Sequence, residues 1–404
     1  TMKSVLIPHT RELCYLSGEF FLDRIQSVLE DEGVVVDRVD FPTKGADYSV
    51  LEDYIGTHYD GIIDMNSILP FLILDDDSYW LDRMEAPFFN YIVDHPLYHH
   101  DSLRFPIQRE YAIGIDRCHC DYMKQQYPHL KDVLFLPLPG TKAMGEEIPF
   151  EKRENELLFS GTYDSEVEQD RKVASRIDKI TPLMRECIEE MNATWQPGEK
   201  PLEAELADWM RAHDMTEALE HADSPQWAEI RETYGANSFS HWMTHLYLLD
   251  MRKRNAIRRE IVERVAESGF PITVMGEGWE FLPMAKLPNV RILPGCPMSV
   301  SFEVMQNSKR ILDVTPLFYR GFHDRVASGL LNGALTISNM HPMEGTPQDG
   351  KEMLYYDRAH LDDLIENLHH MDETKAAEIA AAGQRFAEEH CTFEGLGKSL
   401  MKYL

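Results

Sequence analysis

The feature that most constrains the fold is an alternation of short apolar runs and helix-period segments across residues 271–339. Ile272, Thr273, Val274 and Met275 form one run, which breaks at once into Gly276, Glu277, Gly278 and Trp279. A second run, Val290-Arg291-Ile292-Leu293, leads into a helix-like segment at 298–308 and a strand expected at 310–314. A polar turn at 315–320 then meets Gly321-Phe322-His323-Asp324-Arg325. A helix pattern at 326–332 and a last strand at 334–338 complete the stretch. Strands and helices alternating at this spacing predict βαβ units on a parallel sheet. In such sheets ligands lie beyond the carboxyl ends of the strands, which is where the glycine-bearing breaks fall. The two breaks are therefore expected as two walls of one pocket.

The same grammar opens the chain. Strands are expected at 4–7, 34–36, 61–63, 88–93, 111–115 and 133–136. Phe21, Leu22, Ile25, Val28 and Leu29 recur at helical spacing until Gly33, and a second helix is expected around 121–127. Residues 1–140 thus read as one doubly wound α/β domain, ending in the punctuating run Pro137-Leu138-Pro139-Gly140. A strand at 156–160 that stops in Gly161-Thr162 begins a second such domain, expected over 150–385. From 165 to 269 the period is helical, carries Trp195, Trp209, Trp227 and Trp242, and shows no strand signal. Residues 165–245 are read as a helical insertion in that domain, and 246–268 as the crossover helix feeding Ile272. A further strand is expected at 353–356, and helices close the chain.

Charge narrows the function. Forty Lys and Arg stand against 69 Asp and Glu, a net charge of −29. So acidic a surface repels nucleic acid and anionic membranes. No apolar run approaches the roughly 18–20 residues of a membrane span, and no charged segment followed by an apolar one marks a secretory leader. Six scattered cysteines suit a reducing compartment, so a cytoplasmic location is expected. An anionic ligand would need a local cationic or dipolar site. Arg320, His323 and Arg325 around a helix start offer one, because free N–H groups and the helix dipole favour phosphate there.

Other motifs admit two readings each. Gly276 and Gly278 suit a backbone that a ligand approaches closely, or a tight turn beside a core tryptophan. Phe281 stands where the third glycine of a dinucleotide fingerprint would be, which disfavours a nicotinamide enzyme. Asp94-His95-Pro96 ends a strand and offers a general base, or a structural turn in which Asp94 caps a backbone N–H. His9, after the first strand, is a second candidate base. Asp75, Asp76 and Asp77 read as a solvated acidic turn before a divalent-metal site. Cys118-His119-Cys120 lacks a second ligand pair at zinc spacing. No metal or cofactor is expected.

Together, Val274 to Trp279, Leu287-Pro288-Asn289-Val290, Gly295, Asp313-Val314-Thr315-Pro316, His323-Asp324-Arg325-Val326 and Asn332-Gly333-Ala334 resemble the CgeB-like glycosyltransferases of the GT-B superfamily. His390-Cys391-Thr392-Phe393 resembles the family's closing helix, expected here over 386–404 and crossing back to the first domain. The resemblance implies two Rossmann-like domains facing across a cleft, the first acceptor-side and the second donor-binding. It implies metal-independent transfer of a hexosyl or N-acetylhexosaminyl group from a nucleotide sugar, a UDP-sugar above all, to a hydroxyl on a bacterial protein or surface glycan. On matching positions Gly161 would line the diphosphate, and Gly276, Glu277, Gly278 and Trp279 would shape the base pocket. Gly321, Phe322 and His323 would present the helix start, with Arg325 nearby. Asp94 or His9 would deprotonate the acceptor in an inverting reaction. The Glu-x7-Glu pair of many retaining relatives falls on Arg320 and Ser328, so it is absent. That absence leaves the stereochemistry open and keeps Ser328 as a donor contact only by position. The alternatives are a non-catalytic sugar-nucleotide binder or coat-associated protein, a metal-dependent transferase using Asp75 to Asp77, and an epimerase on the same fold. The helical insertion is a possible oligomer contact.

Overall fold

The structure, a computed structural model, describes residues 2–177, 180–215, 239–315 and 317–404. Trp227 and Pro316 lie outside the described residues. The chain divides into two compact units. The first holds the chain up to Pro137 with Glu203–Tyr247 and Phe393–Leu404, and the second holds Leu138–Leu202 and Leu248–Thr392.

The first unit is built on a parallel sheet in the order β2-β1-β3-β4-β5-β6. Its strands are β1 (Ser4–His9), β2 (Val35–Asp40), β3 (Gly61–Met65), β4 (Phe88–Ile92), β5 (Glu110–Gly114) and β6 (Asp132–Phe135). β3 and β4 are buried along their whole length, as strands covered on both faces must be, whereas edge strand β2 alternates between partly buried and exposed residues. Helix α1 (Ser17–Asp31) buries the expected face of Phe21, Leu22, Ile25, Val28 and Leu29. The closing helix Phe393–Leu400 lies against α1, with Phe393 beside Phe21 at 6.4 Å between ring centres. Gly397 permits that approach, since a Cβ there would already stand 3.0 Å from Val28 Cγ2. Helix α2 (Arg117–Gln126) starts from Asp116, whose carboxylate accepts from the N–H of Cys118 and His119. The Cys118-His119-Cys120 run is therefore the first turn of a capped helix.

The second unit repeats the architecture in the order β12-β11-β10-β7-β8-β9, all parallel. Its strands are β7 (Leu158–Ser160), β8 (Ile272–Met275), β9 (Val290–Leu293), β10 (Arg310–Asp313), β11 (Leu335–Ser338) and β12 (Leu354–Tyr355). The helical stretch is shared between the units. Helices α3 (Glu166–Ile177), α4 (Pro182–Thr194) and α5 (Tyr247–Glu267) carry its second-unit part, although Tyr247 itself groups with the first. Helix Phe239–His245 and all but the first residue of Leu202–Ala212 belong to the first unit. Among the described residues the stretch contains no strand. Its described tryptophans are core: Trp195 donates to the Lys200 carbonyl, and Trp209 packs on Trp242 at 5.9 Å. Among the described residues no helix is long and apolar enough to cross a membrane.

Two further helices complete what the site needs, α6 (Met298–Gln306) and α7 (Asp324–Leu331). The chain entering the second unit is seated on α7. Gly140 packs so closely there that a Cβ would fall 2.6 Å from the Ala327 carbonyl oxygen. Thr141 N–H donates to Ser328 Oγ at 3.1 Å, and Asn332 Nδ2 donates to the Thr141 carbonyl at 2.8 Å. Asp76 is held in its turn by Arg83 at 2.6 Å and by the Ser78 N–H at 3.1 Å.

Candidate functional site

Strand order alone locates a site in each unit. In the second unit the chain leaves β7 toward β8 and β9 on one side and returns through β10 and β11 to β12 on the other. The loops after β7 and β10 diverge, and in sheets of this order ligands bind in the crevice between such loops. The loop after β7 begins at Gly161, and the end of β10 carries Asp313, Val314 and Thr315.

The glycines after β8 serve this crevice through packing. Gly276 has φ +151° and Gly278 φ +90°. A Cβ on Gly276 would lie 2.2 Å from the Gly161 carbonyl oxygen, and one on Gly278 would lie 1.9 Å from that of Tyr163. Gly161 N–H donates to Met275, and Tyr163 N–H donates to Glu277. The two loops are thus zipped together, and no residue larger than glycine fits. Trp279 is fully buried, donates its Nε1–H to the Gly161 carbonyl at 2.6 Å and meets Phe159 edge-on at 5.4 Å. This corrects its expected place on a base-pocket wall: the indole braces Gly161 from within the core. Glu277, by contrast, is exposed.

Around Gly161 the structure gathers cations that the sequence reading passed over. Arg254 and Arg258 are one helical turn apart on α5 and share a face. Arg258 Nη1 donates to the Thr162 carbonyl at 3.2 Å, its Cζ lies within van der Waals reach of the Cβ position of Gly161, and its Nε is buried without a partner. Burial, and after it the neighbouring Arg254 and Arg325, push the Arg258 guanidinium down, and Asp250 and Asp313 oppose that push only partly. Arg325 is pinned to the fully buried Asp313 at 3.2 Å. Asp313 in turn accepts from Thr315 Oγ1 at 2.9 Å and Ser338 Oγ at 2.7 Å, while Arg254 is paired with Asp250. Arg254 and Arg325 both repel the buried Arg258, and a multiply charged anion would relieve that repulsion. Such a ligand would supply the charge-assisted hydrogen bonds that the protein withholds from Arg258.

The start of α7 does not provide the open anion site expected of it. His323 Nδ1 accepts from Arg325 N–H at 3.2 Å, which caps the helix. Asp324 sits buried in the first turn with its carboxyl held below the usual range. Burial opposes that shift, but His323, Arg325 and a backbone N–H outweigh it. A carboxylate already complements the positive helix end, so a phosphate there would meet like charge. Phe322 packs into a cluster with Val326 and Leu330, and Gly321 is buried. Ser328, 1% exposed, braces Thr141 and is closed to a ligand. Of the residues expected to hold the donor, Gly161 lies at the crevice with Arg325, and Gly276 and Gly278 support it from behind.

In the first unit the order reverses between β1 and β3. His9 and Thr10 end β1, and Asn66 and Ser67 follow β3. The sequence reading missed Asp64, which is fully buried and accepts from Thr10 Oγ1 at 2.5 Å and Ser67 Oγ at 2.6 Å. Burial pushes its carboxyl up to about 6 against those hydrogen bonds. Ser67 N–H donates to Asn90 Oδ1, and Asn90 Nδ2 donates to Glu110 Oε1 at 2.9 Å. Burial raises the Glu110 carboxyl to about 8. Of the two expected bases, His9 is 6% exposed, with Nδ1 facing Asp40 at 3.2 Å and Nε2 facing Glu12 at 3.4 Å. Nδ1 is taken by Asp40, whereas the buried Nε2 makes no hydrogen bond among the described residues. Asp94 is half-exposed, accepts from Asn66 Nδ2 at 2.9 Å and lies 3.5 Å from His99 Nε2. Its neighbour His95 is a turn residue, taking the Leu97 N–H on Nδ1 and facing Glu203 with Nε2 at 3.3 Å.

The family model described as Glycosyl transferase-like matches residues 252–400, a span that contains Arg254, Arg258, Asp313 and Arg325. No curated protein sequence matches the chain. Among solved structures, sucrose-phosphate synthase (tll1590) from Thermosynechococcus elongatus is similar at 8% identity and TM-score 0.56, covering 99% of this chain and 98% of its own. Phage T4 BGT, solved with its UDP-glucose substrate, is similar at 11% identity and TM-score 0.52, covering 99% and 98%. The Anabaena protein Alr3699/HepE, solved with UDP-glucose, is similar at 11% identity and TM-score 0.51, covering 99% and 100%. What this chain shares with them is the fold, two parallel-sheet α/β units of the GT-B class.

Proposed function

We propose that the chain is a glycosyltransferase that takes its sugar from a nucleotide-diphosphate donor, UDP-linked in the first instance, and that the second unit binds this donor. The reading rests above all on Arg258, an under-compensated guanidinium beside Gly161 at the switch point between β7 and β10. The helix-start contact expected from the sequence is replaced by this arginine and Arg325. The family match over the same residues and the UDP-glucose-bound structures of similar fold support it.

In this reading the bond from the anomeric carbon to the diphosphate oxygen breaks, and its electron pair stays with the nucleoside diphosphate. Arg258 and Arg325 neutralise the charge that develops there, at a place the protein has already made cationic. The acceptor oxygen forms the new bond and gives up its proton to a general base, for which Asp94 is the candidate if the reaction inverts. No metal takes part. The strongly acidic chain favours a protein or glycan acceptor over nucleic acid. Six free cysteines support a cytoplasmic setting, and the resemblance of the motif pattern to the CgeB-like transferases supports a role in that group.

The test is a thermal-shift and calorimetric titration with UDP, GDP, TDP and their glucose conjugates in EDTA, followed by donor turnover. Stabilisation by a nucleoside diphosphate with release of that product is the expected result. A donor that binds without turnover against any acceptor would make the chain a sugar-nucleotide-binding protein. Absence of binding by every nucleotide would remove the reading altogether.

A further inference from the structure

A second face of α5 carries cations that the donor reading leaves unused. Arg252 and Lys253 precede Arg254 on the helix. At 100° per residue, Lys253 points away from the side shared by Arg254 and Arg258. It lines a cleft of about 550 Å³ within the second unit, walled by α3, α4, α5 and Arg358. The cations there differ in what already satisfies them. Arg358 Nε is 2.8 Å from Glu260 and its Nη1 donates to Gln196 Oε1 at 3.0 Å. Arg252 lies 3.5 Å from Asp170. Lys253 has no acceptor among the described residues, although burial, and after it Arg358, push its ammonium down. Asn192, Gln169 and Glu166 supply amide and carboxylate groups around the same space.

We infer that this cleft is a binding site for a small hydroxylated anion, a saccharide bearing a phosphate or a carboxylate, whose charged group pairs with Lys253 and Arg252. An ammonium held between a second cation and a partly dry wall gains a full charge-assisted contact from such a group. The planar amides and the remaining carboxylate match ring hydroxyls, which both donate and accept. The site is separate from the Arg258 crevice and does not depend on the donor assignment.

The experiment is calorimetry on the full chain with glucose 6-phosphate, glucuronate and glucose as probes, in the presence and absence of UDP. Variants are Lys253→Met, Lys253→Arg and, as a control for general charge, Lys402→Met on the exposed closing segment. Binding of either anionic sugar, and not of glucose, is expected, and phosphate and carboxylate arms identify which group is taken. Lys253→Met should weaken it by about tenfold or more, the effect of losing one hydrogen bond to a charged group. Lys253→Arg should retain most of the affinity, and Lys402→Met should leave it unchanged. Equal affinity in Lys253→Met and wild type, or binding of neither anionic sugar by wild type, overturns the inference.

Discussion

Replacing Arg258 by Met tests the donor site through stability and ligand response together. Arg258 is pushed down to about 9 by burial and by Arg254 and Arg325. At about 1.4 kcal/mol per tenfold change in proton affinity, that corresponds to a ceiling of roughly 5 kcal/mol for holding the charge in place. Guanidinium groups keep their proton in proteins, so the depression measures electrostatic strain and not a neutral arginine. Methionine retains much of the aliphatic bulk, removes the charge, and forfeits the hydrogen bond to the Thr162 carbonyl, a loss of about 1 kcal/mol. With partial relaxation of the ceiling, the unliganded variant should be more stable by about 1–3 kcal/mol. The same substitution should cost the ligand response. A nucleoside diphosphate at a hundred times its Kd stabilises wild type by about 2.7 kcal/mol. Loss of a charge-assisted contact should raise Kd by about 10–100-fold and so erase from about half to nearly all of that gain. Urea unfolding of both proteins, with and without UDP, reads all four quantities. If Arg258→Met is less stable without ligand and keeps the full UDP shift, the arginine is a structural strut and the argument fails.

Three further outcomes follow from the same geometry. Gly278→Ala should destabilise the second unit by several kcal/mol, because its Cβ would overlap the Tyr163 carbonyl and its φ is +90°; an unchanged urea midpoint would show that the loop reseats freely. Glu110 holds its proton more tightly folded than unfolded. Its contribution is therefore favourable below the unfolded carboxyl value and declines by up to about 1.4 kcal/mol per pH unit until about pH 8. Glu110→Gln should flatten that decline, which stability curves between pH 5 and 8 measure directly. Asp94→Asn should lower acceptor-dependent turnover by about 10²-fold or more while leaving UDP binding intact, and equal kcat in the two proteins would exclude it as the base.

The central strands β3, β4, β8 and β10 lie where short apolar runs meet glycine, proline or polar turns, because parallel strands buried on both faces have no other way to be written. Val290–Leu293 and Ile272–Met275 needed no tertiary information. The site was less legible. The basic run from Arg252 to Arg259 stands out in a chain of charge −29. Read by period alone, however, it is an ordinary crossover helix, and only the order β10-β7 brings its Arg258 beside Gly161. Gly276, Gly278 and Trp279 look the same in sequence whether they face a ligand or brace a neighbouring loop. The carbonyl of Gly161 decides between these, and it is 115 residues away in the chain from Gly276. His323 and Asp324 were visible as a helix start, but a side chain that caps and one that welcomes phosphate share the same residue types. Glu110 opens a strand and would pass for a surface residue there. Its burial depends on Asn90 in the neighbouring strand.

The two switch points carry opposite electrostatics, and the chemistry of group transfer explains why one fold would be used twice. Arginines 254, 258 and 325 surround the crevice of the second unit, whereas Asp40, Glu12, Asp64 and Asp94 cluster around the strand ends of the first. Stabilising a leaving diphosphate requires fixed positive charge in a site of reduced polarity. Accepting a proton requires a carboxylate whose basicity such charge would suppress, since an adjacent guanidinium lowers a carboxyl pKa by one to three units, as a rough guide. One crevice cannot hold both properties at full strength. Asp324 illustrates the conflict: beside His323 and Arg325 its carboxyl falls below the usual range, so it is a poor base there. Asp94 accepts from the Asn66 amide and faces the His99 imidazole, so a guanidinium brought close would act on it directly. Introducing one nearby, as in Asn66→Arg, should therefore shift the acidic limb of the kcat profile to lower pH and reduce the limiting rate. A profile that stays in place would mean that the proton goes elsewhere.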